Sequence, residues 1–239
     1  MVLLELEMRL QSFEKELEDF CLPKPTEDEL CQVKVIANIE PVLIRKEKDY
    51  IIEQLKVSVR NCITKFTDEQ LLIYEKVIDD VKEEKQLLTS IDARGGCGNT
   101  LLLNAILASV RSSEPGGCVA LAMATTGIAA NLLSLGSTFH SQMKAPLVAT
   151  EQFMLQISAQ SNLSKLIKMA KLLLIDESTM LDRFQLEAID RSLKYIMGID
   201  SLPFEGKIVI LAGDLRQSLK QVSFVETLFH PSSNQEFAS

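Results

Sequence analysis

The chain has 239 residues, 46% of them apolar, enough for one large or two small domains with a substantial core. Its 33 acidic and 25 basic side chains leave a net charge of −8 and a pI near 5.0, which argues against a general nucleic-acid-binding surface, because non-specific affinity rests on neutralising phosphates with Lys and Arg. Cys21, Cys31, Cys62, Cys97 and Cys118 are widely spaced and never form C-x-x-C, so neither a disulfide framework nor a zinc site is suggested, and a reducing compartment is expected.

The start, Met1-Val2-Leu3-Leu4, lacks a charged region and a long apolar run, and no stretch approaches about 18 apolar residues, so a chain neither secreted nor membrane-spanning is expected. Residues 1–92 carry 21 acidic and 13 basic side chains and the remainder 12 of each, so the net charge belongs to the first part. There, Leu3 to Phe20 and Glu47 to Val59 alternate apolar and charged positions at near-helical spacing, with Pro23, Pro25 and Pro41 between them. The spacing predicts two helices that cap the following domain or meet a partner.

From residue 66 helices and strands alternate: helix from Thr67, strand near Leu87, helix from Thr100, strand Cys118 to Met123 and helix from Gly127. Next come strand Leu172 to Ile175, helix Arg183 to Ile196 and strand Lys207 to Leu211. That order implies an α/β fold, a parallel sheet with helices on both faces. Between Pro146 and Lys171 the serines and Asn162 suggest a polar turn separating two helical pieces.

Chemistry concentrates at predicted strand ends. Ala93-Arg94-Gly95-Gly96-Cys97-Gly98-Asn99-Thr100 lies where a strand hands over to a helix. Glycines there let backbone N–H groups approach an anion, the helix adds the positive end of its dipole, and the Thr100 hydroxyl suits a Mg²⁺ shell. An ordinary Gly-rich turn is the alternative. Against G-x-x-x-x-G-K-[ST], Ala93 replaces the first Gly and Asn99 replaces the lysine that reaches the β and γ phosphates. An amide donates neutral hydrogen bonds but does not offset charge spreading over a γ-phosphoryl group, a loss of roughly 3–4 kcal/mol in the transition state.

Leu172-Leu173-Leu174-Ile175-Asp176-Glu177 reads as a buried strand ending in two carboxylates, Asp176 suited to a Mg²⁺ shell and Glu177 to orienting a water. A solvated acidic turn is the other reading. Lys207 to Leu211 runs into Ala212-Gly213-Asp214-Leu215-Arg216-Gln217, where Gln217 would sense a γ-phosphate, or a surface turn would simply end the strand.

Taken together these segments resemble the Pif-one type of ATP-dependent DNA helicase, including copies carried by Helitron-like transposons. The resemblance extends over roughly residues 3 to 222 and includes Leu22-Pro23-Lys24-Pro25, Phe66 to Tyr74, Thr125 to Leu133 and Gly136 to Ser141. It implies a RecA-like nucleotide-binding lobe using ATP and Mg²⁺. Within it, Gln70 reads the adenine edge, and Gly95, Gly96, Gly98, Asn99 and Thr100 bind nucleotide. Thr100 and Asp176 serve the metal, and Glu177 and Gln217 the chemistry. Thr126, Phe139 and His140 would lie along a single-stranded DNA track, although Phe139 reads equally as a core residue and His140 as a structural one.

The resemblance further implies single-stranded or forked DNA as partner, 5′-to-3′ unwinding, no membrane association and a nuclear location; it assigns no oligomeric state. The expected organisation is a helical extension over 1–60, the lobe over 61–225 and an irregular tail over 226–239. A single lobe, without the second that supplies an arginine finger and half of the DNA track, and with Asn99 in the loop, is expected to be a truncated copy with impaired or no hydrolysis; the alternative is a non-catalytic nucleotide- or protein-binding module derived from a helicase lobe.

Overall fold

The computed structural model describes residues 20, 42–83, 85–114, 118–147, 149–198, 202–214 and 216. The helix expected over Leu3 to Phe20, the prolines after it, Gln217 and the tail over 226–239 lie outside the described residues, except for Phe20 itself. The chain divides into two units, Met1–Val42 and Leu43–Ser239. The second is described below.

Five strands form one sheet in which every pairing is parallel: β1 (Leu88–Asp92), β2 (Val119–Ala124), β3 (Ser137–Thr138), β4 (Ala170–Asp176) and β5 (Ile208–Gly213), in the spatial order β1-β5-β4-β2-β3. Their helices are α1 (Val42–Glu47), α2 (Ile52–Ile63), α3 (Asp68–Lys82), α4 (Asn99–Arg111), α5 (Gly127–Leu132), α6 (Phe139–Met143), α7 (Asn162–Met169) and α8 (Arg183–Met197). Parallel strands need crossovers, and helices on both faces bury β2 and β5 over their whole length.

Successive residues of these apolar strands serve opposite faces. On β2, Val119, Leu121 and Met123 join the core built with α6, α7 and α8, whereas Ala120, Ala122 and Ala124 face the core of α3, α4 and α5. Alanine there leaves room for α4, whose Leu103, Ile106 and Leu107 are fully buried. Each such leucine or isoleucine contributes roughly 1.5–3 kcal/mol by leaving water.

Two sequence expectations change. The helix read over Glu47 to Val59 is broken: α1 ends at Glu47 and α2 begins at Ile52, after Ile51 in extended conformation. Tertiary bonding overrides helical periodicity there. The Tyr50 hydroxyl donates toward Arg111 O (3.1 Å) and Cys118 O (2.8 Å) and accepts from Cys118 N (3.0 Å). Helix α2 packs against α4 inside the second unit, although its first residues fall within the extension expected over 1–60.

The second change is in the segment before β4, where α7 is the only helix among the described residues. Leu155 and Ile157 are buried at a period of two, and side chains of α8 bind the backbone, Ser192 Oγ accepting from Leu155 N (2.9 Å) and Arg191 donating to Phe153 O (2.8 Å). Among the described residues no helix is long and apolar enough to cross a membrane.

Candidate functional site

Strand register brings the chemistry to one edge. Asp92 pairs with Gly213 and Ala124 with Asp176, so the C-terminal ends of β1, β5, β4 and β2 finish together. In open parallel sheets that edge is where ligands bind. A cleft of about 440 Å³ opens there, lined by Ala93, Arg94, Gly95, Gly96, Gly98, Asn99, Thr100, Asp176, Glu177, Gly213 and Asp214.

The loop between β1 and α4 is anchored at its start by Ala93 N donating to Gly213 O (3.1 Å), and it turns through Gly96 and Gly98 at φ +82° and +78°. Those angles suit glycine, and at Gly98 a Cβ would also lie 3.2 Å from Gln70 Nε2. Helix α4 opens without a side-chain cap. Leu101 N and Leu102 N turn back to Gly98 O, while the N–H groups of Asn99 and Thr100, ahead of that turn, have no intrahelical acceptor. The result is a concave set of donors with the helix dipole behind it. Asn99 lines the cleft as an uncharged amide whose Oδ1 is buried without a hydrogen-bond partner.

Asp176 ends β4 with 8% exposure. Burial pushes its carboxyl above the usual range, opposed by the Glu177 N–H donated to its Oδ1 (2.9 Å) and reinforced by the neighbouring Glu177 charge. Glu177 is left-handed at φ +53°, and its carbonyl accepts from Thr125 Oγ1 (3.0 Å). Ser178 Oγ donates to Ala212 O (3.0 Å) and ties this turn to β5. Both hydroxyls are positioning groups: Thr125 was named only as the first residue of the segment Thr125 to Leu133, and Ser178, next to Glu177, was not singled out. At the end of β5, Arg216 N donates to Asp214 Oδ1 (3.1 Å), and the Arg216 guanidinium lies 3.5 Å from Asp92 Oδ2.

The cleft therefore collects Gly95, Gly96, Gly98, Asn99, Thr100, Asp176 and Glu177. Gln70 stands beside the loop instead of lining the cleft: its Nε2 donates to Cys97 O (2.8 Å), while its Oε1 accepts from Thr67 N (3.1 Å) at the start of α3. Of the three residues expected along a DNA track, Thr126 caps α5 by accepting from Ala129 N (3.2 Å), and Phe139 is fully buried in the core. His140 is partly buried, with Nε2 at 3.1 Å from Gln185 Nε2. A ring with no exposed surface has no face to offer a base, so the core alternative is the one realised at Phe139.

Gln185 was not foreseen as an organiser. It is buried on α8, closes that helix's capping box with Asp182 and donates to Pro146 O (3.0 Å) beside His140. The D-x-x-Q spacing at the helix start is its only sequence signal.

These cleft residues suit a nucleotide polyphosphate and a divalent ion. The donor concavity suits phosphate oxygens, and the Thr100 hydroxyl and Asp176 carboxylate are hard oxygen ligands. Among the described residues no group of three or more His, Cys, Asp or Glu is placed to hold a metal ion, so a divalent ion here needs phosphate oxygens and water to complete its shell.

Comparison with known proteins agrees with this geometry. The family model described as PIF1-like helicase matches residues 65–224. An ATP-dependent DNA helicase PIF1 from Trypanosoma brucei brucei is 30% identical over 154 residues, covering 60% of this chain and 15% of that protein. The structure of unliganded Pif1 from Bacteroides sp superposes with a TM-score of 0.51 at 27% identity, covering 69% of this chain and 36% of that one. Bacteroides Pif1 in complex with ADP-AlF3 and ssDNA gives 0.50 at 27% identity, covering 66% and 36%. The chain thus spans about a third or less of the length of these relatives.

Proposed function

This chain belongs to the PIF1-like helicase family, and from that premise we propose that it supplies the first, RecA-like lobe of an ATP-dependent DNA helicase, binding ATP with Mg²⁺ and hydrolysing it slowly. The observation that carries the proposal is the cleft uniting the loop Ala93–Thr100 with Asp176 and Glu177 at one sheet edge. The relative seen with ADP-AlF3 and ssDNA supports both a nucleotide and a DNA partner.

In this reading the loop N–H groups and the start of α4 hold the phosphates, and Thr100 and Asp176 hold the metal, which supplies positive charge to the phosphoryl oxygens. Glu177 orients water and accepts its proton. Asn99 donates a neutral hydrogen bond where a lysine would place charge. Gln70, held on the loop, places its amide for the adenine edge, and Gln217 senses the γ-phosphate. Coupling to 5′-to-3′ movement on single-stranded or forked DNA belongs to the assembled helicase, with the surface near Thr126 and His140 contributing to the strand path.

The test compares this chain with Asn99→Lys, each alone for nucleotide binding and each fused to the second lobe of a relative for turnover, with and without single-stranded DNA. Nucleotide binding by both is expected, with DNA-stimulated turnover a few hundredfold faster in the lysine variant, as about 3–4 kcal/mol implies. Equal turnover would remove Asn99 as the cause of slow hydrolysis. No nucleotide binding by either would overturn the assignment of the cleft.

A further inference from the structure

Two backbone groups leave the Gln185 amide a single orientation. The Asp182 N–H can only donate and lies 3.1 Å from Oε1, while Pro146 O can only accept and lies 3.0 Å from Nε2. Exchanging the two ends would set donor against donor at the first contact and acceptor against acceptor at the second. The atom that faces His140 is therefore the amide nitrogen. With 3% exposure and a place in the capping box of α8, the side chain is held in one position.

That orientation decides the chemistry of the imidazole. His140 Nε2 stands 3.1 Å from Gln185 Nε2, an atom that has hydrogens to give and no lone pair to offer. Pro146 O takes one of those hydrogens, and Leu147 O, at 3.4 Å, makes the longest of the three contacts. The second hydrogen goes to the ring. An imidazole that accepts at Nε2 carries its own hydrogen on Nδ1.

Nδ1 makes no hydrogen bond among the described residues. The ring is partly buried and packs against Phe139, their centroids 5.5 Å apart at 80°. Ala124 pairs with both Thr138 and Asp176, and α6 starts one residue after Thr138, so this donor leaves the sheet at the same edge as the cleft. A donor fixed in direction, with no acceptor opposite it, suits an oxygen brought by a ligand.

We propose that Gln185 is a positioning residue that holds His140 in the Nδ1–H tautomer, from which the ring donates to an acceptor oxygen of single-stranded DNA. This assignment rests on the strand path proposed above for the surface near Thr126 and His140, and adds to it the donor atom and the side chain that sets it.

Long-range ¹H–¹⁵N correlation of the ¹⁵N-histidine-labelled chain reads the tautomer, with His140→Asn separating its signals from those of His230. At about pH 8, above the ordinary titration range of histidine, the Nδ1–H form is expected. Gln185→Glu places an acceptor before Nε2 and should move the hydrogen there. Oligothymidylate and oligodeoxyadenylate should shift the parent's Nδ1 signal, and Gln185→Met, which adds no charge, should weaken DNA binding about threefold to tenfold, as the loss of one hydrogen bond implies. Weakening toward both oligonucleotides marks a phosphate acceptor, and toward oligothymidylate alone a base carbonyl, which adenine lacks. An Nε2–H tautomer in the parent overturns the assignment and leaves the strand path standing, as does unchanged affinity in Gln185→Met when DNA still moves the His140 signals. DNA that fails to bind, or binds without moving those signals, removes His140 from the strand path and the assignment falls with it. The parent's tautomer is read without any Gln185 variant, should these fold poorly.

Discussion

At the scale of single residues, the carboxylates are where function is set against stability. Burial is the largest cause raising Asp176 above the ordinary carboxylate range, so the folded chain prefers the protonated acid more than the unfolded chain does. Between the unfolded and the raised folded value the native state binds more protons, and this group's contribution to stability falls as pH rises through that window. Asp176→Asn keeps an acceptor for Glu177 N and removes the charge. The variant is expected to be more stable than the parent at neutral pH by on the order of 1 kcal/mol. Urea unfolding across a pH series reads the difference, which should grow as pH rises through the window and vanish in acid; a difference independent of pH would rule out the buried charge as its source. The position of Asp176-Glu177 at a strand's C-terminal end was legible in the amino-acid order because a continuous apolar run of strand length marks a buried parallel strand. The roles of Thr125 and Ser178 were not, because a hydroxyl bonded to a distant carbonyl leaves no periodic trace.

Among the elements, α3 illustrates how one side chain serves two purposes. Thr67 and Gln70 form a capping box, and the same Gln70 reaches Cys97 O in the phosphate loop. Thr67→Ala should cost about 1 kcal/mol, the usual loss for a missing cap. Gln70→Ala should cost a similar amount and, unlike the first variant, speed hydrogen exchange of the amides between Gly95 and Thr100. Equal loop protection in the two variants would show that Gln70 acts only as a cap. Element identity was readable over most of residues 66–213, since 3.6-residue and apolar-run patterns are local properties. Where it failed, side chains from elsewhere had captured the backbone: Ser192 and Arg191 hold the segment around Leu155 out of a helix, and the Tyr50 hydroxyl sits at the break between α1 and α2.

For the molecule as a whole, the end of α4 is tied to distant segments through one buried cation. Arg111 is fully buried and donates to Ser134 O and Ala120 O, both at 2.8 Å, with Glu47 at 3.9 Å. Burial outweighs their mutual attraction on both sides, raising Glu47 and lowering Arg111. Arg111→Met leaves two carbonyls and a carboxylate without their partner and should destabilise the chain by about 3–5 kcal/mol, whereas Tyr50→Phe should cost about 1–3 kcal/mol. Denaturant unfolding compares them, and a loss below about 1 kcal/mol for Arg111→Met would mean that the network contributes little. The amino-acid order by itself determined the alternation of strands and helices, the parallel sheet and the three strand-end segments that meet at one edge of it, because each depends on residues adjacent in the chain. Only the tertiary structure decided that Phe139 belongs to the core, that Gln70 rests on the loop, that Arg216 faces Asp92 and that the amide oxygen of Asn99 has no partner. Those outcomes depend on which side chains the sheet order brings together across the fold, and no local pattern encodes that.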